Sequence, residues 1–509
     1  MSELWNEGYF TDVGYTYGYY RELSPAFQRF CLLIRGYTPP EEGISTHCEL
    51  GYGQGIAINI HAAVTQGTFY GTDFNPEHAA HALKIAEKAG NGAMLYDDSF
   101  EGLLERNLPQ FDSISLHGIW TWVSRENHKV IVEFLKQKLK PGGIVYNSYN
   151  CFPGWSPSYP LRQVFALYDR FSTQKGGVAE RIDGALKFAE GLIQSKPAYL
   201  SLVPTLESKL KTIMANDRHY LAHEYFNREW NCMYFSDVVD ALAAAKVEFA
   251  CSANPVDLID EVNLLPEWTD FLRKIENRIM REQIRDYFVN QQFRKDLFLR
   301  GGVRLKAGEQ MELLAKIRFV LVRLAKDIPM TVTGTLGEVS LKEDIYKPII
   351  ETLAEEAYAP KTIAQILGKN PTLDFGKVLQ AVIVLTHYGY ACPCQDESTI
   401  SQVRNKCERL NAELCDRARH SGAITYLASP VVGGGVLVDR IYQLFITAIK
   451  KGIANAPEYA WINLSNAGEV ILKDGKPLEG KEANLQELQA KFKKFSTEDS
   501  VILRSVGII

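Results

Sequence analysis

The chain has 509 residues, of which 46% are hydrophobic and 23% are charged. A chain of this length is too long to fold around a single hydrophobic core, so we expect about two to four domains. The composition is that of an ordinary globular protein. The formal net charge of −5 at pH 7 argues against a general attraction to nucleic acid or to an anionic membrane surface.

The nine cysteines are scattered, and several lie in apolar runs, which is typical of reduced thiols in a cytoplasmic protein. Cys392 and Cys394 form the one close pair in the sequence, and without a second pair at ligand spacing we predict no metal site. Residues 1–10 lack the apolar core of a secretory signal. The apolar region 423–438 is interrupted by Pro430 and falls short of the roughly 20 residues of a membrane helix. We therefore predict a cytoplasmic protein without membrane insertion.

Five tyrosines precede the first predicted strand: Tyr9, Tyr15, Tyr17, Tyr19 and Tyr20. They are followed by an amphipathic helix that we expect to run through Ile34. One interpretation is that the tyrosines pack this helix onto the edge of a sheet. The other is a lid whose aromatic rings hold a bound cation by cation–π attraction.

The segment 47–55, HCELGYGQG, predicts a buried strand that ends at Glu49, a glycine loop, and a helix over 56–64. The loop contains Gly51, Tyr52, Gly53 and Gly55. Glycine lets the backbone turn sharply and approach a ligand closely, which a Cβ atom would prevent. The start of the helix also offers unpaired N–H groups. The dinucleotide pattern G-x-G-x-x-G would need glycine where Ile56 stands, so the loop follows a different pattern, E-x-G-x-G-x-G.

A second predicted strand, 68–72, ends at Asp73, which is followed by Phe74. Asp73 lies close to the roughly 20-residue offset from the loop that suits a carboxylate accepting hydrogen bonds from ribose hydroxyls. By itself this aspartate would equally suit a helix N-cap. After a helix over 76–89, a third strand over 93–96 leads to further polar residues that would otherwise be plain turn residues: Asp97, Asp98 and Ser99.

A fourth predicted strand, 111–116, ends at His117. A helix over 125–139 then leads through the turn LKPGG, which closes at Gly143, into a fifth strand over 144–149. Polar residues at the carboxyl ends of successive strands indicate a doubly wound parallel sheet with a ligand crevice at that edge.

With these motifs in order, residues 1–155 resemble the AdoMet-binding core of class I S-adenosyl-L-methionine (AdoMet) methyltransferases. The resemblance implies an α/β fold with a Rossmann-like, seven-stranded sheet and AdoMet as the cofactor. It places the methionine end of AdoMet at the glycine loop and an acidic or polar residue after the third strand at the adenine. The cofactor-binding residues that it implies are Glu49, Gly51, Tyr52, Gly53, Gly55, Asp73, Phe74, Asp98, Ser99 and His117.

Residues 156–304 predict a helical insertion followed by a segment that completes the sheet. The insertion covers 156–230, near the acceptor side. A helix over 236–242 leads to a strand over 247–251, and a last strand candidate covers 296–300.

Residues 305–400 predict a winged-helix-like domain, with helices over 348–357, 360–368 and 375–388 before a strand over 390–392. Its second long helix carries one lysine and a nearly continuous apolar face, which favours protein packing over nucleic-acid binding.

Residues 401–509 predict a mixed α/β region. In it, the glycines 433–435 precede a predicted helix over 436–450. These glycines form either an anion cradle or a flexible hinge.

Two runs, 216–226 and 285–296, resemble the predicted methyltransferase regulatory domain of bacterial proteins. Together with the AdoMet-binding half, the chain resembles the rickettsial outer-membrane-protein lysine methyltransferases. This resemblance implies a protein acceptor, such as a surface protein, that is methylated on lysine side chains.

A lysine ammonium, with an ordinary pKa near 10.4, must lose a proton before its nitrogen can attack, and an apolar aromatic pocket favours the neutral amine. At the tips of strands four and five, His117, Tyr149 and Asn150 are candidates to accept or relay this proton. Candidates to line the acceptor channel are Trp120, Trp122 and Trp155, of which Trp122 is our catalytic-site choice. The alternative is that these tryptophans pack the insertion against the sheet.

Two other functions remain open. One is a methyltransferase that acts on a glycan or small molecule and uses its extra domains for oligomerisation, for example as a homodimer. The other is a cofactor-binding regulator without catalysis, which the intact Glu49 and Asp73 disfavour. A deep groove shared by the insertion and the C-terminal half would favour a protein acceptor, whereas a closed small cavity would favour a metabolite.

Overall fold

A seven-stranded sheet lies at the centre of the computed structural model, which describes residues 15–40, 45–172, 176–227 and 229–509. Its strands are β1 (Thr46–Leu50), β2 (Thr68–Thr72), β3 (Met94–Tyr96), β4 (Phe111–Leu116), β5 (Leu139–Asn150), β6 (Glu248–Ser252) and β7 (Phe293–Leu299). They follow the order β3-β2-β1-β4-β5-β7-β6, and β7 runs antiparallel to both of its neighbours. This is the class I methyltransferase arrangement, and the predicted fold class is confirmed.

Fourteen α-helices lie within the described part of residues 15–304. They are α1 (Pro25–Ile34), α2 (Ile56–Val64), α3 (Pro76–Ala89), α4 (Phe100–Glu105), α5 (Arg125–Lys138), α6 (Tyr159–Phe171), α7 (Val178–Gln194), α8 (Ala198–Leu202), α9 (Leu206–Met214), α10 (Arg218–Tyr225), α11 (Phe235–Ala243), α12 (Asp260–Asn263), α13 (Pro266–Arg273) and α14 (Arg278–Phe288). The α2 helix is buried along its whole length, which explains its largely apolar sequence, interrupted by Asn59 and His61. The α3 helix begins where Asn75 accepts a hydrogen bond from the Glu77 N–H and ends at the left-handed Gly90.

The fifth strand is longer than predicted. The turn that we expected at LKPGG lies within β5, where it interrupts the register: Phe111 pairs with Leu139, and Ser113 pairs with Ile144. The Gly142 N–H donates to the Arg300 carbonyl at 2.6 Å, and the Arg300 N–H donates to the Gly143 carbonyl at 3.0 Å. The residue that follows β7 therefore satisfies the backbone of this segment, and Gly142, with a φ of 80°, keeps a turn inside the strand.

The helices α6 to α10 form the helical insertion between β5 and α11, as predicted. They enclose a hydrophobic cluster of their own, built around Trp155, Phe165 and Trp230. The insertion is attached to the sheet by the loop after β4, because the Asn231 N–H donates to the Thr121 carbonyl at 2.7 Å and its amide donates to the Val123 carbonyl at 2.8 Å.

The C-terminal part of the described chain contains the remaining elements. They are α15 (Ala307–Lys316), β8 (Arg318–Leu321), β9 (Thr331–Gly334), β10 (Gly337–Ser340), α16 (Glu343–Tyr358), β11 (Lys361–Thr362), α17 (Ile363–Lys369), α18 (Phe375–His387), β12 (Ala391–Pro393), α19 (Glu397–Arg417), β13 (Tyr426–Ser429), β14 (Gly434–Leu437), α20 (Arg440–Lys450), α21 (Ala456–Asn466), β15 (Leu472–Lys473), β16 (Lys476–Pro477), α22 (Gly480–Lys494) and α23 (Ser500–Ser505). The winged-helix interpretation and the four domain boundaries stay predictions. The α18 helix is largely buried in a hydrophobic cluster with α16 and α17.

The predicted helix over 436–450 begins later, at Arg440, because Gly434–Leu437 forms a strand that pairs with Tyr426–Ser429. The α19 helix packs against α2 and α3, so the C-terminal region covers a flank of the sheet. In the described ranges, no helix is both long and apolar enough to cross a bilayer.

Candidate active site

An open cleft lies at the carboxyl ends of β1, β2, β3 and β4, and its volume with the open mouth is about 1240 Å³. Its walls come from the glycine loop, the segments after these strands, the N-terminal segment and α10. The lining residues include Tyr15, Gly51, Gly53, Asp73, Phe74, His78, Asp98, Ser99, His117, Gly118, Ile119, Trp122, Tyr220, His223, Glu224, Asn227 and Glu229. None of the described residues beyond 304 lines it, so this open cleft is neither the groove shared with the C-terminal half that would favour a protein acceptor nor the closed small cavity that would favour a metabolite.

The glycine loop has the backbone that its sequence indicates. Gly51, Gly53 and Gly55 have φ values of 76°, 57° and 74°, which L-residues with a side chain rarely adopt. A Cβ atom on Gly51 would lie 2.7 Å from Ile119 Cγ1 and closer still to its Cδ1. The loop can therefore approach a ligand closely only because it is built of glycine.

Asp73 connects the loop to the second strand. Its Oδ2 accepts a hydrogen bond from the Gly53 N–H at 2.8 Å, and its Oδ1 accepts from the Asn75 N–H at 3.1 Å. The Nε2 atom of His78 accepts from the Tyr15 N–H at 3.2 Å, so its protonated Nδ1 donates to Asp73 Oδ1 at 3.1 Å. His78 was not predicted as a site residue, and a histidine five positions after an aspartate gives no sequence signal by itself.

Glu49 lies beside a smaller inner cavity that shares Gly51, Gly53 and His117 with the cleft. It is 6% exposed. Burial, and next the charge of Asp73, raises the pKa of its carboxyl to about 8. A cationic ligand group in the inner cavity would stabilise the ionised form.

The remaining predicted cofactor residues have distinct roles. Phe74, Asp98 and Ser99 line the cleft. Asp98 forms an ion pair with Arg106, and Ser99 accepts the Gly102 N–H as the N-cap of α4. Tyr52 borders the inner cavity with Gly55, but its hydroxyl donates to the Tyr96 carbonyl at 2.6 Å and so fastens the loop to β3.

His117, which directly follows β4, lines both cavities. Its ring stacks on Tyr20 at a centroid distance of 3.6 Å, and its Nδ1 lies 3.1 Å from the Tyr146 hydroxyl. Burial lowers the pKa of this imidazole to about 4. A histidine with so low a pKa is neutral at pH 7 and is a weak proton acceptor.

Tyr149 does not line the cleft, although it lies near the carboxyl end of β5. Its side chain is buried, and its hydroxyl donates to Asp296 Oδ2 at 2.6 Å. Asp296 also pairs with the buried Arg294, which in turn pairs with Asp286. Because a strand alternates its faces, the side chain of Tyr149 enters this ion-pair network, and we withdraw the proton-relay role proposed for it.

Asn150 borders the acceptor side indirectly. Its amide donates to Glu224 Oε1 at 3.4 Å, and its backbone N–H donates to Thr121 Oγ1 at 2.9 Å. Trp122 lines the cleft directly. Trp120 is fully buried against His128, and Trp155 packs on Trp230, so these two tryptophans serve packing.

The N-terminal tyrosines divide between the two interpretations given above. Tyr15 lines the cleft and Tyr20 the inner cavity. Tyr17 packs edge-on against His81, and Tyr19 packs against His61 and Tyr426. Tyr9 lies outside the described residues.

Five residues of the insertion that line the cleft were missed: Tyr220, His223, Glu224, Asn227 and Glu229. The first three lie within the family-like run 216–226 and the other two follow it, and their chain position alone does not reveal that α10 faces the sheet edge. The Asn227 amide donates to the His223 carbonyl at 2.7 Å, and Arg162 donates to the Asn227 carbonyl, which fixes the end of α10.

Comparisons with known proteins agree with this architecture. Residues 217–300 match the family described as the predicted methyltransferase regulatory domain. The chain is 38% identical over 509 residues to the uncharacterized protein sll1526 of Synechocystis, with 99% of each chain covered. It is 23% identical to the uncharacterized protein RP789 of Rickettsia prowazekii, covering 53% of this chain and 48% of the relative.

Among solved structures, the fold is similar to that of PKMT2 from Rickettsia typhi in complex with AdoHcy. The TM-score is 0.69 at 16% identity, and the alignment covers 97% of this chain and 99% of that chain. The glycine loop, the seven-stranded sheet, the matched regulatory segment and the full-length relative together show that the chain belongs to the sll1526 family of class I AdoMet-dependent methyltransferases with a methyltransferase regulatory domain.

Proposed function

We propose that this protein transfers the methyl group of AdoMet to lysine side chains of a protein acceptor. The observation that carries the proposal is the composition of the two walls of the cleft. One part of the lining comes from the AdoMet motif, and another part, with Trp122, His223 and Glu224, offers groups that could contact an acceptor. Aromatic rings and a carboxylate together suit a cationic amine. The similar fold of PKMT2 from Rickettsia typhi, which was solved in complex with AdoHcy, supports the same enzyme class.

The chain offers a fitting set of groups for AdoMet. The glycine loop gives a surface without Cβ atoms, and Glu49 offers a buried carboxylate to the amino group at the methionine end. The Asp73 carboxylate can accept hydrogen bonds from ribose hydroxyls, and Asp98 with Ser99 stands where the adenine amino group is expected. Bound AdoMet supplies an electrophilic methyl group on a sulfonium.

The protein's own contribution is positioning and exclusion of water. The Tyr15 backbone is held to the cofactor wall by His78 and by the Gln54 amide, which donates to the Tyr15 carbonyl at 3.2 Å. The Tyr15 ring meets His223 edge-on at 5.2 Å, so the N-terminal segment reaches both walls. An amine enclosed between these groups loses hydration, which lowers its pKa and favours the neutral nucleophile.

The test is calorimetric titration with AdoMet and AdoHcy, followed by transfer of labelled methyl groups to poly-L-lysine. We expect Asp73→Ala to weaken binding by roughly 10- to 150-fold, because hydrogen bonds to a charged group contribute about 1.5–3 kcal/mol. Asp270→Ala, on the exposed face of α13, is the matched control and should bind as the wild type does.

Wild-type protein that binds neither ligand would refute the proposal. Tight AdoMet binding without labelling of poly-L-lysine, combined with labelling of a glycan or metabolite, would contradict the lysine acceptor. The protein would then be a methyltransferase of a glycan or small molecule.

A further inference from the structure

Glu224 lies at the point where the insertion meets the cofactor wall. It belongs to α10 and lines the cleft together with Trp122, Tyr220 and His223. The Asn150 amide at the carboxyl end of β5 donates to its Oε1 at 3.4 Å, which connects this carboxylate to the sheet. Glu224 is therefore held at the acceptor side by two different parts of the fold.

The surroundings of this carboxyl contain both apolar surface and positive charge. Trp122 and Tyr220 border the same cleft, while Arg162 of α6 and Lys209 of α9 act on Glu224 through their charges. Burial outweighs these two cations and the hydrogen bond from Asn150, and the pKa of Glu224 is raised to about 7. Such a carboxyl can bind a proton and release it again near neutral pH.

We infer that Glu224 binds the acceptor's ammonium group and takes its proton, which makes it the general base of methyl transfer. The inference rests on the proposed function, whose acceptor it specifies as a protonated primary amine. The ammonium N–H bond breaks, and the proton passes to a carboxylate oxygen of Glu224. The nitrogen lone pair then forms the new C–N bond with the methyl group as the C–S bond breaks, and the sulfur keeps the bonding pair.

Three other titratable groups that line the cleft suit this role less well. His117 has a pKa of about 4 because it is buried, so it takes up a proton poorly at pH 7. Asp73 is engaged with two backbone N–H groups and with His78, and Asp98 is paired with Arg106. Glu224 combines access to the cleft with a proton affinity near neutrality.

The test compares two ligands that differ in charge at the transfer position. Sinefungin carries a protonated amine in place of the methylated sulfur, and AdoHcy carries a neutral thioether there. The quantity measured is the ratio of the two dissociation constants, AdoHcy over sinefungin. In the wild type we expect this ratio to rise about tenfold between pH 6 and pH 8, because Glu224 ionises over this range. In Glu224→Gln the preference should not change with pH. Glu190→Gln, on an exposed position of α7 in the same insertion, is the matched control and should keep the wild-type profile.

The outcomes separate this inference from the proposed function. If AdoHcy binds but the preference is flat with pH in the wild type, or remains pH-dependent in Glu224→Gln, Glu224 is not the base and the cofactor site stands. If neither ligand binds, the proposed function and this inference both fail. Should Glu224→Gln not fold, the wild-type profile and Glu224→Asp, which keeps a carboxylate, still decide the question.

A stability measurement provides a second readout that does not depend on activity. Because the folded pKa of Glu224 is raised above its unfolded value, ionisation destabilises the native state as pH rises from about 4.5 to about 7. Glu224→Gln should therefore unfold at a higher temperature than the wild type at pH 8 and at a similar temperature at pH 4.5. An equal difference at both pH values would contradict the raised proton affinity.

Discussion

Replacement of Gly51 by alanine tests whether the cofactor loop requires glycine for backbone conformation, for space, or for both. Gly51 has a φ of 76°, and its N–H donates to the Thr72 carbonyl at 2.8 Å, so the loop has little freedom to relax. A left-handed conformation costs an L-residue roughly 1–2 kcal/mol. The new methyl group also meets the Ile119 side chain, and overpacking of this kind costs roughly 1–3 kcal/mol. We therefore expect Gly51→Ala to destabilise the loop by roughly 2–5 kcal/mol.

The two contributions can be separated with variants that the chain offers. Gly92 has a φ of 77° and nothing within 4 Å of the position that a methyl group would take, so Gly92→Ala should show the conformational cost alone. In an Ile119→Ala background, the added cost of Gly51→Ala should fall toward that of Gly92→Ala. Hydrogen exchange followed by mass spectrometry measures the opening free energy locally, on peptides spanning 46–64 for the Gly51 variants and on peptides containing residue 92 for Gly92→Ala, which suits a chain too large for one two-state transition. The reasoning is refuted if Gly51→Ala costs no more than Gly92→Ala.

Two further predictions concern buried acidic groups and their partners. Because Glu49 has a pKa of about 8, it is mostly protonated at pH 7, and a ligand ammonium beside it should expel that proton. Calorimetric titration of the wild type with AdoHcy, in buffers of different ionisation enthalpy, should then show the release of close to one proton at pH 7 and of less above pH 8. Glu49→Gln should release none, and equal proton release by the wild type and Glu49→Gln would contradict this. Tyr149→Phe removes the donor to the buried Asp296 and should destabilise the protein by about 1–3 kcal/mol. The affinity for AdoHcy should stay unchanged in Tyr149→Phe. A large loss of affinity would show that Tyr149 contributes to the cofactor site.

The fold of the first half was predictable because local and long-range signals agree there. The buried strand before Gly51 and the largely apolar run of α2 predict their elements from sequence alone, and β2 and β4 have the predicted bounds. The start of the fifth strand was misjudged, because Gly142 and Gly143 favour a turn, whereas hydrogen bonds with Arg300, which directly follows β7, hold this turn inside the strand. That partner lies far along the chain, where a local pattern does not reach.

The C-terminal half shows the same limit. Glycines before an apolar run predicted a loop followed by a helix over 436–450. The hairpin formed by Tyr426–Ser429 and Gly434–Leu437 instead uses Gly434 and Gly435 as strand residues, against which the Tyr19 ring packs. Small residues were needed there for a close approach of two segments, and glycine content alone does not distinguish this need from flexibility.

The two walls of the cleft differ in predictability for a physical reason. The cofactor wall is built from residues directly after parallel strands, and these must meet at one edge of the sheet whatever else the chain does. The acceptor wall depends on how the insertion folds back, which is decided by contacts such as Asn231 with Thr121 and Arg162 with Asn227. Strand alternation adds a second uncertainty, because Tyr149 and Asn150 are neighbours in sequence but face different surroundings. We propose a base from α10 because, at the sheet edge, Asp73 is hydrogen-bonded to the glycine loop, Asp98 is paired with Arg106, and Glu49 lies at the inner cavity, where we expect it to meet the amino group of the cofactor. Burial keeps His117 neutral at the same edge.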